Sequence, residues 1–525
     1  MPNRKTLPGQ SQSLLSYVCG ICLRIALRSQ NTPGPDRMSQ ELNPQPESSA
    51  WNVSRILQSQ TTWLVASLVV LTGVVYWPVH SFEFVNWDDP WYVLKNEYIR
   101  SWHPSNLWDI ATQVINRNYS PMIIFTLLVE HTLFGVEPAG YHIVNVLLHM
   151  LNTVLVFALI SRLAKSQSVG WATAAFFAIH PVQLESVAWV SSIKGLVVGA
   201  FILAHLLCVM RPERTAKQEL WGLIFFALAI LSKALTVVVP AIVLLYDMLV
   251  CRKKFSDALT PQFIPGMLSV WILLVTMGAQ VSELGGVRDH MSLSKLHILA
   301  VDSVILWNYV AMLLCPRQLS VLYNPATTGI AVQVAVASVC WVVIGFACWR
   351  VRKSHPFVPL AAASFLLLLL PVLNLTPITT LMNDRYLYMP SIPFFALVCF
   401  GVKWGCERLD AYRAARSEHR TSTSRQPVRG GWIGIPLAAT IPLIIATYEH
   451  LPVWKNDQAL WENAMARTPD LPLVHIQYAW MLHNSGHHEA AISRLQHTLT
   501  EMTPDKLDRS RIEETIEDWF AAQES

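Results

Sequence analysis

The stretch that decides the fold, residues 61–96, reads TTWLVASLVVLTGVVYWPVHSFEFVNWDDPWYVLKN. Residues 61–79 carry no charge, and a helix that crosses a bilayer needs about twenty mostly apolar residues. Two adjacent carboxylates, Asp88 and Asp89, follow soon after this run. The sequence therefore predicts a membrane helix that leaves the bilayer directly beside a pair of acids.

The composition extends this prediction to the whole chain. Of the 525 residues, 53% are hydrophobic and only 14% are charged, and the mean hydropathy is +0.36. Soluble domains are about one quarter charged. We therefore expect a polytopic membrane protein that contacts membrane lipids and has no nucleic-acid partner. The nine cysteines, an odd number that lies mostly in apolar or basic segments, argue against a disulfide framework.

Eleven segments are predicted to span the membrane. They are residues 61–79, 139–163, 169–183, 193–210, 219–235, 236–250, 262–280, 329–349, 356–372, 386–403 and 431–449. With eleven spans, the basic clusters between them fall on one side, which the positive-inside rule assigns to the cytoplasm. The segment 295–315 contains Asp302 and Asn308, and as a twelfth span it would move Arg350 and Lys353 outside. We therefore predict that it is interfacial or re-entrant.

This topology divides the chain into three regions. Residues 1–60 are polar and rich in proline and serine, and we expect a disordered cytoplasmic tail; whether translation starts at Met1 or Met38 stays open. Residues 61–449 form the membrane domain, with a large first extracytoplasmic loop at 80–138. Residues 450–525 follow on the extracytoplasmic face.

The C-terminal region has the pattern of a tetratricopeptide repeat. Pro469 and Pro504 are close to one repeat length of about 34 residues apart, and Gly486 marks a turn between two amphipathic segments. A single repeat cannot bury its apolar face alone, so we expect it to pack on the membrane domain or on a partner. A helical hairpin cap of another kind is the alternative. The predicted fold class is thus an all-α membrane helix bundle with a short C-terminal helical hairpin.

Polar side chains gather on the predicted outer face. Such groups at membrane depth are functional candidates because they are costly to place there. The candidate catalytic residues are Asp88 and Asp89. The candidate substrate-binding and donor-binding residues are Arg117, Tyr119, His142, His149, His180, Glu185, Lys194, Asp384, Arg385 and Tyr386. Acids that can take a proton, together with cations that can hold a leaving phosphate, suit the transfer of a sugar from a lipid phosphate.

The two aspartates have different alternatives. Pro90 favours an extended backbone at Asp89, and Asp-Pro is typical of a helix N-cap followed by its first residue, which predicts a capped helix at 90–97. Asp88 is then the acid more available for chemistry, with an Asx turn as its alternative.

The other candidates have structural interpretations too. The histidines of 139–163 could hydrogen-bond between helices, Lys194 and Arg385 could extend towards water, and Glu185 could pair with Lys194. No metal motif is present; the sequence identifies no cofactor, and a divalent metal ion is an open alternative.

Five motifs in order carry a resemblance to a known family. They are FVNWDDPWYVLKNEYI (84–99), NYSPMIIFTLLVEHTLFGVEPAGYHIVNVLLH (118–149), HPVQLESVAWVSSIKGLV (180–197), SKALTVVVPAIVLLYD (232–247) and NDRYLYMPSI (383–392). Together they resemble the transmembrane and tetratricopeptide repeat-containing proteins, which are GT-C glycosyltransferases related to the protein O-mannosyltransferases. The resemblance covers residues 60–500.

The resemblance implies an eleven-span bundle of the GT-C type, a polyprenyl-phosphate sugar donor, inversion at the anomeric carbon and an acidic pair at Asp88 and Asp89. It also implies repeats that bind the acceptor, a protein or a glycan. Two departures stand out. The family usually reads Arg-Lys-Asp where this chain has Ile193-Lys194-Gly195, and it often has Glu where this chain has Ala234.

We therefore predict a membrane glycosyltransferase in which Asp88 is the base or orients the acceptor. The alternative is a catalytically degenerate scaffold that binds a partner through residues 450–525. A transporter fits less well, because transporters place their substrate near the membrane midplane, often between inverted repeats.

Overall fold

The computed structural model describes residues 59–115, 118–284, 294–374, 380–417, 431–502, 504 and 506–524. Almost all of the predicted N-terminal tail 1–60 lies outside these ranges, as does the predicted donor-binding residue Arg117.

The described residues form helices and contain no strand; the one β-contact among them is an isolated bridge between Ile115 and Asn118. The longer helices are α1 (Gln60–Tyr76), α2 (Pro104–Thr112), α3 (Pro121–Phe134), α4 (Pro138–Leu163), α5 (Gln167–Ile179), α6 (Ile193–Val209), α7 (Ala216–Ile230), α8 (Val239–Leu249), α9 (Phe263–Leu284), α10 (Lys295–Leu314), α11 (Ala331–Val351), α12 (Phe357–Leu369), α13 (Ser391–Ser417), α14 (Gly434–His450), α15 (Asp457–Arg467), α16 (Pro472–Asn484), α17 (His488–Glu501) and α18 (Lys506–Glu524).

Each of the eleven predicted spans coincides with a helix. Seven helical segments of the described chain are long and apolar enough to cross a membrane: 60–81, 138–163, 190–209, 255–278, 295–314, 331–351 and 431–454. The helices α5, α7, α8 and α12 are shorter, and the second half of α13 carries charges such as Arg408 and Asp410. The all-α class is confirmed, while a count of eleven spans is approximate.

The segment predicted to be interfacial or re-entrant is one unbroken helix, α10. It is 20 residues long and apolar enough to span. Its acid Asp302 is buried and accepts hydrogen bonds from the backbone N–H and the side-chain amide of Asn374, at 3.3 and 2.8 Å. The polar side chain that argued against a lipid-facing helix is therefore turned into the protein, where it has partners.

Local sequence explains how the first loop returns to the bundle. The helix α3 ends at Gly135, whose φ of +60° is a conformation that residues with a Cβ rarely adopt. Pro138 then starts α4, where its missing N–H is not needed. The long helix α4 packs along α1, α5 and α6 and forms the centre of the bundle.

Three helices end at one level of the bundle. Thr447 in the last turn of α14 donates a hydrogen bond to the carbonyl of Ile179 at the end of α5, at 2.6 Å. Tyr448 donates to the carbonyl of Val74 near the end of α1, at 3.1 Å. The chain segments that leave α1, α5 and α14 therefore start on the same face, and this face holds the site described below.

The C-terminal region packs against the first loop. The helix α15 is joined to it through the N–H of Asn86, which donates to the Asp457 carboxylate, and through Trp461, whose ring meets Trp87 edge-on at 5.4 Å. Leu460 and Trp461 belong to the main core of the bundle. The expected packing of the C-terminal region on the membrane domain is thus seen at α15, which precedes the hairpin, while α16, α17 and α18 share a small core of their own.

Candidate active site

The two adjacent acids of the first loop have opposite environments. Asp89 is buried, and its carboxylate accepts hydrogen bonds from the N–H of Val85 at 2.9 Å and from the N–H and hydroxyl of Ser191 at 2.9 and 2.5 Å. This carboxylate therefore fastens the first loop to the segment that precedes α6.

The prediction that Asp89 caps a helix at 90–97 is wrong. Its side chain makes no capping bond, its backbone is helical rather than extended (φ −60°, ψ −37°), and only a single π-helical turn follows, Pro90–Leu94. The reason is a contact between distant parts of the chain. The Asp89 carboxylate accepts hydrogen bonds from the N–H and hydroxyl of Ser191 instead of from the N–H groups of the turn that follows it. Burial raises the pKa of Asp89 to about 6, although the hydrogen bonds with Ser191 and Val85 oppose the rise.

Asp88 is the acid that stays accessible. Its side chain is 40% exposed, and its carboxylate lies 3.5 Å from the ammonium of Lys194. The Lys194 ammonium also lies over the ring of Tyr92, 3.5 Å from the ring centre. The carbonyl of Asp88 accepts hydrogen bonds from the N–H groups of Trp91 and Tyr92, so the backbone of this acid is fixed while its carboxylate keeps access to solvent.

A second acid–cation pair lies close to the first. Glu185, in the short helix Leu184–Ala188, is buried and pairs with the guanidinium of Arg385, and the N–H of Arg385 donates to the same carboxylate at 2.8 Å. Asp88 contributes to the electrostatic environment of Arg385, so the two pairs are neighbours. Glu185 pairs with Arg385, and Asp88 pairs with Lys194. The alternative in which Glu185 pairs with Lys194 is therefore wrong.

Asp384 supports this arrangement without reaching solvent. It is buried and accepts a hydrogen bond from the hydroxyl of Tyr323 at 2.5 Å. Burial, followed by the negative charge of Glu185, raises the pKa of Asp384 well above its ordinary value.

One residue of the site, Lys233, is absent from the sequence-based candidates. It lies in the turn after α7, and its environment includes the charges of Arg385, Lys194 and Glu185. The site therefore contains three neighbouring cations, Lys194, Lys233 and Arg385. Lys233 belongs to the motif at 232–247. Its position at the outer end of a predicted span was the sequence signal that could have identified it as a candidate.

The polar stripe of α4 holds helices together. His149 contacts the hydroxyl of Tyr388 at 3.0 Å and the carbonyl of Ala178 at 3.1 Å. Asn145 and Asn152 donate to carbonyls that precede and begin α6. His142 is buried beside the ring of Phe82. The interhelical interpretation therefore fits His149, Asn145 and Asn152, whose side chains contact other segments of the bundle.

The remaining candidates make structural contacts as well. His180 is buried and accepts a hydrogen bond from the N–H of Val182, so it begins the turn Pro181–Gln183. Tyr119 donates to the carbonyl of Ala111, within the loop. The hydroxyl of Tyr386 lies 3.0 Å from that of Thr380, while its ring faces Arg385.

The described residues do not fit a divalent metal ion at this site. No group of three or more histidine, cysteine or acidic residues converges among them in a way that could hold one. The carboxylates of Asp88 and Glu185 face Lys194 and Arg385, and that of Asp89 is occupied by N–H and O–H donors.

Tryptophans connect the site to the C-terminal region. The guanidinium of Arg385 lies 5.4 Å from the ring centre of Trp189, and Trp189 stacks on Trp454 at 5.9 Å. Trp454 stands just before α15. The rings of Trp189 and Trp454 therefore lie between the Arg385 guanidinium and the start of the C-terminal region.

One departure from the family pattern, Gly195, lies where a larger side chain has space. A Cβ added at Gly195 would meet no atom within 4 Å, so an acid would fit beside Lys194 at this position. A cavity of about 640 Å³ lies between α1 and α4, but Asp88 is not among its lining residues.

Comparisons with known proteins identify relatives. No family model matches the chain. The mouse protein O-mannosyl-transferase TMTC4 is 24% identical over 78% of this chain and 62% of its own length, and human TMTC4 is 22% identical over 81% and 65%. Human TMTC1 is 31% identical, over 24% of this chain.

The chain resembles the TMTC proteins. The resemblance predicted from the five motifs is thereby confirmed, and the chain is an integral, multi-pass membrane protein. It spans somewhat less than two thirds of the length of its TMTC4 relatives. Among solved structures, an oligosaccharyltransferase from Archaeoglobus fulgidus aligns with a TM-score of 0.44 at 13% identity, over 78% of this chain and 58% of its own. ArnT from Cupriavidus metallidurans, in a structure with undecaprenyl phosphate, aligns with 0.43 at 13%, over 80% and 81%.

Proposed function

We propose that this protein is a glycosyltransferase that moves a sugar from a polyprenyl-phosphate donor to a hydroxyl of a protein or glycan acceptor, with inversion, on the extracytoplasmic face. The observation that carries the proposal is the position of Asp88. Of the acids Asp88, Asp89, Glu185 and Asp384, it alone is substantially exposed, and it stands beside cations that can hold a phosphate.

Asp88 has the position of a general base. In the proposed step the acceptor hydroxyl attacks the anomeric carbon from the face opposite the phosphate, Asp88 takes the hydroxyl proton, and the bond from carbon to the phosphate oxygen breaks. Polyprenyl phosphate then leaves. A positioned base of this kind contributes about 10²–10⁴ in rate.

Three cations supply the phosphate site in this proposal. Lys194, Lys233 and Arg385 lie within electrostatic range of one another, while Glu185 neutralises part of their charge. Charge-assisted hydrogen bonds from lysine and arginine to phosphate are among the strong ones in proteins. They stabilise the negative charge that grows on the leaving phosphate. Arg117 is a further proposed contact.

Asp89 and Glu185 are positioning residues here. Asp89 fixes the first loop to Ser191, three residues before Lys194, and so holds both members of the Asp88–Lys194 pair in one frame. Glu185 orients Arg385 through its guanidinium and its backbone N–H. The names of the TMTC relatives favour mannose as the sugar, and the C-terminal hairpin beside the first loop is the proposed place for the acceptor.

The test is transfer of labelled mannose from a polyprenyl-phosphate donor to protein acceptors by purified protein in lipid nanodiscs. We expect transfer that depends on the donor and is lost in Asp88→Asn but kept in Glu97→Gln, a control that removes an exposed acid of the same loop. Equal transfer by the wild type and Asp88→Asn would refute the role of Asp88. A folded wild type without transfer would favour the scaffold alternative.

A further inference from the structure

The C-terminal hairpin carries a cluster of histidines that the proposed transfer does not use. Five of the 17 histidines of the chain, His475, His483, His487, His488 and His497, lie within 475–497. Two of them meet across the turn between α16 and α17: Nδ1 of His483 lies 3.1 Å from Nδ1 of His488.

The backbone of the turn fixes the two residues that carry these rings. Gly486, with φ of +83°, allows the chain to reverse at the end of α16. The N–H of Gly486 then donates to the carbonyl of His483 at 3.0 Å, and the N–H of His487 to that of Leu482 at 2.9 Å. This pattern closes a helix C-terminus tightly and satisfies its last carbonyls. The spacing of His483 and His488 is therefore built into the fold.

A third side chain sets the orientation of one imidazole. The ring of His483 stacks on Trp519 of α18, with the ring centres 4.0 Å apart and the planes at 10°. Trp519 is itself buried in the small core of the hairpin. His488 is exposed, so its ring can turn towards a ligand from solvent. The His483 imidazole is thus held in place, while the neighbouring His488 imidazole can adjust to a ligand at the protein surface.

We infer that His483 and His488 bind a divalent transition-metal ion such as Zn²⁺ through their Nδ1 atoms. Two nitrogens that hold one ion at about 2.0–2.1 Å stand about 3.0–3.4 Å apart, and the observed 3.1 Å falls in this range. Imidazole is a ligand that suits zinc, copper and nickel. No third histidine, cysteine or acid converges with them among the described residues, so water or a partner group completes the coordination.

A bound ion would fasten the end of α16 to the start of α17 and so stiffen the hairpin. The inference is independent of the proposed transferase activity.

The test is calorimetric titration of metal-stripped, full-length protein in nanodiscs with Zn²⁺ at neutral pH. We expect one site whose affinity falls at least about tenfold in His488→Gln. The matched control is His497→Gln, because His497 stacks on His475 at 6.0 Å in the same hairpin without a contact between ring nitrogens. His488 is exposed, so its replacement leaves the hairpin core intact.

Hydrogen exchange of residues 483–490 gives a second measurement. Zn²⁺ should slow exchange in the wild type and in His497→Gln, and should have no such effect in His488→Gln. Zinc binding that His488→Gln leaves unchanged, or no binding at all, would show that the pair is only a hydrogen bond between two imidazoles and would overturn the inference.

Discussion

Two clusters of acids and cations at opposite ends of α8 show how burial separates structure from chemistry. At one end, Asp247 is fully buried and contacts Arg214 at 2.6 Å and Lys253 at 3.3 Å. At the other end, Asp88 is 40% exposed and lies 3.5 Å from Lys194. The Asp247 cluster has the short, buried contacts of a structural ion pair that joins loops, whereas the Asp88 carboxylate stays accessible to a substrate. The same residue types thus stabilise the fold at one end of α8 and are available for chemistry at the other.

We expect the largest losses, in both stability and donor binding, from replacing Arg385. It pairs with a buried acid, as Arg214 does, and it lies in the proposed phosphate site, as Lys194 does. Arg385→Gln should cost about 3–5 kcal/mol of unfolding free energy, because Glu185 would stay behind as an unpaired buried charge. It should also abolish donor binding. Thermal unfolding in detergent and a binding assay with polyprenyl phosphate measure the two losses.

The double variant Glu185→Gln/Arg385→Gln separates these two effects. It should recover most of the stability, since no buried charge remains, but it should not recover donor binding. A double variant that binds the donor as well as the wild type would remove Arg385 from the phosphate site.

The Asp247 cluster should respond in stability alone. Asp247→Asn leaves the largely buried Arg214 without its carboxylate and should cost about 3–5 kcal/mol of unfolding free energy. Transfer per folded molecule should stay at the wild-type level, which activity normalised to the folded fraction would show. A selective loss of activity would mean that the two ends of α8 are coupled.

Asp89 should have an intermediate effect that depends on pH. In Asp89→Asn the amide group would face one of the N–H donors of Val85 or Ser191, at a cost of about 1–3 kcal/mol. In the wild type, the folded carboxyl keeps its proton up to a pKa of about 6, above its ordinary value of 3.8. Its contribution to stability is therefore largest below about pH 4 and is lost as the pH rises through about 6.

Thermal unfolding of the wild type and Asp89→Asn between pH 4 and pH 7 checks this sign. The difference in stability between them should grow as the pH falls. A constant difference would show that the environment of Asp89 does not shift its protonation.

Lys233 should give the smallest effect, confined to donor affinity. It is one of the three neighbouring cations proposed to hold the donor phosphate. Lys233→Gln should therefore raise the KM for the donor by about tenfold, or 1.4 kcal/mol. An unchanged KM for the donor would remove Lys233 from the phosphate site.

The helices of the bundle could be predicted from sequence because long apolar runs are a strong signal, and all eleven predicted segments are helical. The resemblance also pointed to the acids of the first loop, whose roles stay predictions. The partners of Asp89 could not be predicted, because Ser191 lies 102 residues away and local rules favour a helix cap. Lys233 is absent from the sequence-based candidates for a related reason: only the packing of helices shows which polar groups face one another.

Asp88→Asn tests the central claim most directly, because Asp88 is held to act on the acceptor while separate cations hold the donor. Donor binding and mannose transfer are measured on the same preparation of this variant in nanodiscs. We expect donor affinity close to that of the wild type, since a long ion pair with one partner 40% exposed contributes about 1 kcal/mol or less, together with transfer reduced by at least about a hundredfold. Unreduced transfer would contradict the account.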